Sequence, residues 1–127
     1  MKPPIPVLRS FDETKAKEFY INFLGFTVDW EHRFADGLPL YMQVSRGNCI
    51  LHISEHYGDA SPGARVRIET PDLDSYIEDL RASDYKYCKP GVAEMQPWGW
   101  KEVELADPFS TDSHSVVNET VQTSACT

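Results

Sequence analysis

Residues 5–26, IPVLRSFDETKAKEFYINFLGF, decide the fold, because residues 65–85, RVRIETPDLDSYIEDLRASDY, state the same order of parts again. Each segment begins with an apolar run, turns at a short polar stretch and enters an amphipathic helix. Asp72 stands sixty positions after Asp12. Two such units within 127 residues imply one domain made of two similar halves, about 5–56 and 64–121, each starting strand–helix. A duplicated half builds a cleft from matching positions, so the repeat also says where to look for a site.

In the first helix Ala16, Phe19, Tyr20, Phe23 and Leu24 form a single apolar stripe. Asp12 is placed to cap its first turn, and Gly25 suits the left-handed residue just past its end. In the second helix Leu73, Tyr76, Ile77 and Leu80 repeat the spacing, with Thr70 or Asp72 as cap and Pro71 acceptable nearby. Both helices are short and need a sheet to bury their stripes.

Strand patterns fill the rest. Phe26–Phe34 carries Phe26, Val28 and Trp30 in alternation, and Leu40–Val44 and Cys49–Ser54 flank the hairpin connection Ser45-Arg46-Gly47-Asn48. After the loop HYGDASPG (56–63) and the second helix, Tyr85–Tyr87 reads as a short strand and Trp100–Leu105 as another. The expected fold is therefore α+β: two βαβββ repeats forming a curved mixed sheet with the helices on its outer face. The last strand is the uncertain one. From Ser110 the tail (110–127) has eight Ser or Thr among eighteen residues, with only Val116, Val117 and Val121 to supply a strand.

Composition narrows the function classes. A net charge of −8 argues against nucleic acid, which requires a basic footprint. No apolar stretch approaches a membrane span, the Pro-rich start lacks a signal peptide's apolar segment, and the cytoplasm is the simplest address. Cys49, Cys88 and Cys126 are an odd number without CxxC spacing, which speaks against a disulfide framework or structural zinc. There is no nucleophile elbow and no Gly-rich phosphate loop.

The paired βαβββ layout, the segment PVLRSFDETKAKEFYINFLGF (6–26) and the segment EMQPWGWKEVELADP (94–108) resemble the glyoxalase/bleomycin-resistance/dioxygenase superfamily. Gln96-Pro97-Trp98-Gly99 before the strand Lys101–Leu105 and Asp107-Pro108 is more particular to its bleomycin-binding branch. The resemblance covers roughly residues 5–109 and fails in the tail. It implies a homodimer in which N-terminal strands exchange, with a planar ligand held between aromatic side chains at the dimer interface. On that resemblance Trp98 and Phe34 are the aromatic plates. Trp100, sharing a strand face with Glu102 and Glu104, reads as a wet cleft wall, and Trp30 as core or a dimer contact. Glu94, Glu102 and Glu104 form an acidic group suited to a cationic ligand tail, although strand-edge carboxylates are usually just solvated.

Metal-dependent members of the superfamily place ligands at four equivalent strand positions. Here those positions offer Ile5, Arg65, His52 and a tail residue such as His114 or Glu119. Ile5 has no donor atom and a guanidinium no lone pair, so one of the four is a sound ligand where about three are needed. His52, with Glu55 and His56, either meets a ligand or metal at the cleft mouth or sits in its strand satisfied by neighbours. The reading that follows is a non-catalytic protein, without cofactor, that sequesters bleomycin-type cationic glycopeptides and confers antibiotic resistance. Its ligand-binding residues are Phe34, Trp98, Trp100, Glu94, Glu102 and His52. The alternative is a lyase, isomerase or dioxygenase using a divalent metal.

Overall fold

Strand β1 (Val7–Arg9) is too short to stand alone and pairs in parallel with β4 (Cys49–Ser54), across the helix that follows it. The computed structural model describes residues 1–60 and 65–109, together with the course of the chain over 116–121. Helix α1 (Glu13–Lys17) begins where the Asp12 carboxylate accepts from Lys15 N at 3.0 Å, the expected cap. It then widens into a π-helical stretch, Glu18–Phe23, closed by Leu24 N donating to Phe19 O at 2.9 Å. The wider turn lets three rings share one stripe, with Phe19 edge-on to Tyr20 at 4.9 Å and 5.6 Å from Phe23. Every residue of that stripe is buried. Gly25 follows at φ +87°, and a Cβ there would also lie 2.8 Å from Arg46 Nη1, so both the turn and the close approach require glycine.

The remaining strands of the first half are β2 (Thr27–His32) and β3 (Tyr41–Arg46), which give the order β1-β4-β3-β2. Gly47 and Asn48 close the β3–β4 hairpin between the paired Arg46 and Cys49. The second half repeats this with β5 (Val66–Glu69), α2 (Leu73–Ala82), β6 (Glu94–Met95), β7 (Trp100–Leu105) and β8 (Val116–Val121), in the order β5-β8-β7-β6. The mixed sheet thus takes the form of two four-stranded sheets, each with one parallel and two antiparallel pairings. The last strand, hard to find in the sequence, is present: β8 is laddered to β5 on one side and to β7 on the other.

Three sequence expectations change. Tyr85–Tyr87 is not a strand; Asp84 turns the chain at φ +50°, and the Tyr85 ring packs 4.9 Å from Phe23 instead. The strand after α2 is the two-residue β6. Asp72 holds the cap position of α2 in a left-handed conformation (φ +51°) and makes no side-chain cap bond, while Thr70 donates back to Ile68 O at 3.3 Å. Trp30 is not core: it is 43 % exposed.

The main core lies between the first-half sheet and its helix, with Leu8, Met42, Val44, Leu51 and Ile53 against Phe19, Tyr20 and Leu24. Leu80, Leu105 and Phe109 of the second half join the same cluster, while Leu73, Ile77 and Val103 form a smaller one. Polar contacts tie the halves together. Tyr20 Oη donates to Asp107 Oδ2 at 2.5 Å, and Tyr76 Oη donates at 2.7 Å to Leu24 O, which also accepts from Arg46 Nη1 of its own half at 2.6 Å. Burial and the adjacent Asp107 charge push the Tyr20 phenol well above its ordinary pKa, so this bond stays a neutral donor to a carboxylate.

Candidate functional site: two open sheet faces

Successive side chains of a strand point to opposite faces. The register therefore lays out the first sheet's face away from its helix. One row across it runs Val7, His52, Gln43, Trp30, and the next Arg9, Ser54, Tyr41, His32. Trp30 reaches this face through an irregularity in β2 after Val28, which leaves Asp29 as the extra residue.

Aromatic rings and a chain of hydrogen bonds cover that face. Trp30 stacks on Tyr41 with centroids 6.0 Å apart at 11°, and meets His52 edge-on at 5.4 Å. Tyr41 Oη lies 2.6 Å from His52 Nδ1, and His52 Nε2 lies 3.0 Å from Gln43 Oε1. An amide oxygen only accepts, so Nε2 carries the proton and Nδ1 accepts from the tyrosine. Gln43 Nε2 then donates to Asp29 Oδ2 at 3.1 Å, and Ser45 Oγ to Asp29 Oδ1 at 3.0 Å. Burial lowers the His52 pKa, which favours this neutral arrangement. Phe34, just beyond β2, is 76 % exposed, its ring edge-on to His32 at 4.9 Å and to His56 at 6.0 Å.

The second sheet's open face is built by the β6–β7 hairpin. Gly99 N donates to Gln96 O at 3.0 Å and Gln96 N to Trp100 O at 2.8 Å, the bond pattern of a three-residue hairpin loop. Proline suits the first loop position, and Gly99, at φ +92°, supplies the left-handed residue at its end. Trp98 is thereby placed at the tip, 56 % exposed. Its Nε1 donates to Glu102 Oε2 at 2.9 Å, and Arg67 Nη1 donates to the same oxygen. The Arg67 guanidinium also sits 5.4 Å from the Trp98 ring centre. Glu102, only 7 % exposed, is therefore a paired carboxylate rather than a solvated one. Glu104 pairs with Arg65 at 3.1 Å, and the exposed Glu94 faces Glu102 across the strands.

Of the residues expected from the sequence, Glu94, Trp98, Trp100 and Glu102 come together on this hairpin. His52 and Phe34 lie on the first half's face, joined through Tyr41 and His56. Phe34 and Trp98 make no ring contact with each other within one chain. Sequence reasoning missed Tyr41, Gln43 and Arg67. The sixty-residue offset held one usable signal, since it sets Arg67 against Val7. A cavity of about 600 Å³ lies elsewhere, bordered by Arg46, Cys49, Thr70, Asp72 and Tyr76, and none of the expected residues lines it.

The residues at the metal positions do not fit a divalent ion. Ile5 brings no donor, and Arg65 is a cation already paired with Glu104. Val7 pairs with His52 in the first half; its counterpart Arg67 pairs with Val117, so the register partner of His52 has no donor either. Glu119 lies two residues along, opposite Glu69 and Glu102, and His114 falls outside the described residues. Among the described residues no group of three or more His, Cys, Asp or Glu could hold a metal ion, and no helix is long and apolar enough to cross a membrane.

Two halves of like topology, each with its helix on one face and an open face on the other, define a paired βαβββ protein. Residues 1–123 match the family described as glyoxalase superfamily protein, and the chain belongs to that superfamily. Among curated proteins, none matches the sequence. Solved structures share the fold. An antibiotic-binding protein, TnmS3, from Streptomyces sp. CB03234 is 21 % identical, with TM-score 0.71 over 98 % of each chain. A bleomycin-binding protein complexed with bleomycin is 20 % identical, with TM-score 0.64 over 97 % of this chain and 99 % of that one. A glyoxalase family protein from Enterococcus faecalis is 16 % identical, with TM-score 0.66 over 91 % of this chain and 93 % of that one. At such identities the likeness establishes the fold alone.

Proposed function

We propose that this protein binds a planar, partly cationic small molecule of the bleomycin type, one per subunit, and performs no chemistry on it. The observation that carries the reading is the outward display of aromatic rings on both open faces: Trp30 and Phe34 on one, Trp98 on the other. Exposed aromatic groups mark places where something else packs. The fold shared with a bleomycin-binding protein in complex with bleomycin makes that ligand the first to try.

Because Phe34 and Trp98 belong to different faces, a planar ligand held between them calls for a second subunit. The active form in this reading is a homodimer with two equivalent clefts, working in the cytoplasm. Resistance then follows by mass action, since tight binding by excess protein lowers free drug. The test is a titration with metal-free bleomycin followed by tryptophan fluorescence. Saturable quenching at one ligand per subunit, lost in Trp98→Ala, supports the reading; a flat trace overturns it.

A further inference from the structure

The Trp98 contacts close a ring of three groups. Arg67 donates to the Glu102 carboxylate, the same carboxylate oxygen accepts from the indole N–H, and the guanidinium returns over the indole face at 5.4 Å. Glu102 is buried beneath them. A buried carboxylate is held there only with such partners. Two things follow for the indole: one face is covered by a cation, and the in-plane N–H is fixed to a strand residue. What stays open to solvent is the other face.

We infer that Arg67 and Glu102 are positioning residues that lock Trp98 as a plate shielded on one face by a cation, so that its open face disfavours a second cation. The inference rests on the reading of Trp98 as a ligand contact. A loop-tip tryptophan left free would have to be ordered at each binding event; holding it beforehand removes that cost. A cation already on the inner face draws the ring's electron density toward itself and repels a second cation from the outer face. The carboxylates beside the plate are engaged, Glu102 by Arg67 and Glu104 by Arg65.

The experiment uses protein with Trp98 as its single tryptophan (Trp30→Phe, Trp100→Phe). In time-resolved fluorescence anisotropy without ligand, the indole shows little sub-nanosecond motion. Arg67→Ala and Glu102→Ala add a fast component, whereas Glu102→Gln, whose amide oxygen still accepts from the N–H, keeps most of the rigidity. Quenching by caesium ion rises in Arg67→Ala and stays low in Arg67→Lys. Metal-free bleomycin binds Arg67→Ala about threefold to tenfold more weakly. A fast component in the parent protein, or caesium quenching unchanged by Arg67→Ala, overturns the inference. Tighter bleomycin binding by Arg67→Ala does so too, since Glu102 would then be a ligand contact released from its partner. Should no variant bind bleomycin, the anisotropy and caesium measurements still decide the inference, and the failure belongs to the ligand assignment.

Discussion

At matching register positions the first half's open face carries the neutral Tyr41 and Gln43, and the second half's carries the charged Glu102 and Glu104. Tyr41, His52 and Gln43 pass hydrogen bonds toward Asp29 beneath the Trp30 ring. Across the repeat, Val7 becomes Arg67, and β7 sets Glu102 and Glu104 where β3 sets Tyr41 and Gln43. Most core-face positions keep their apolar type: Leu8 answers to Ile68, and Met42 and Val44 to Val103 and Leu105, while Asn118 stands at the register position of Ile53. Packing against a helix restricts a position to apolar groups of similar volume. An open face carries no such restriction, so a duplicated fold is free to give its two faces different chemistry.

The largest expected effect comes from breaking what joins the halves. Asp107→Ala strands the buried Tyr20 hydroxyl and is expected to cost about 2–3 kcal/mol, measured by urea unfolding. A smaller change makes the halves alike: Arg67→Val gives the second half the residue type of Val7 and leaves Glu102 buried beside Trp98 without its cation. With the guanidinium 41 % exposed in the native pair, the expected loss is about 1–2 kcal/mol. Adding Glu102→Leu should recover much of it, because replacing both members of a buried ion pair by apolar groups costs less than removing its cation alone. No recovery in the double variant would show that the pair is not an isolated unit.

Legibility in the sequence followed the range of the interactions. Strands Cys49–Ser54 and Trp100–Leu105, the stripe from Ala16 to Leu24 and the turn at Gly25 are local patterns, and each lies where periodicity placed it. The tip position of Trp98 was readable because Pro97 and Gly99 bracket it. The His52 chain was not, since it depends on which residues of three strands share a row. Strand β8 was only faintly marked, by Val116, Val117 and Val121, because a strand bonded on both sides is held by its backbone ladders and needs little alternation of its own. Tyr85 read as strand because its attraction to Phe23 is a tertiary contact.

The smallest expected effect separates the faces by pH. Burial depresses the folded-state pKa of His52 below its ordinary 6.5. The folded protein therefore holds fewer protons than the unfolded chain between those two values. The stability this residue contributes is complete above pH 6.5 and declines as pH falls through 6.5 toward the folded value. His52→Gln should flatten that slope in urea titrations at successive pH values, while Arg67→Val leaves it unchanged.

The central claim is that both unlike faces serve one ligand. Calorimetric titration of the native protein, Trp30→Ala and Trp98→Ala with metal-free bleomycin tests it most directly. The expected result is one ligand per subunit for the native protein and weaker binding in both variants, with the greater loss for Trp98→Ala. Native affinity in either variant, or no heat of binding at all, would contradict it.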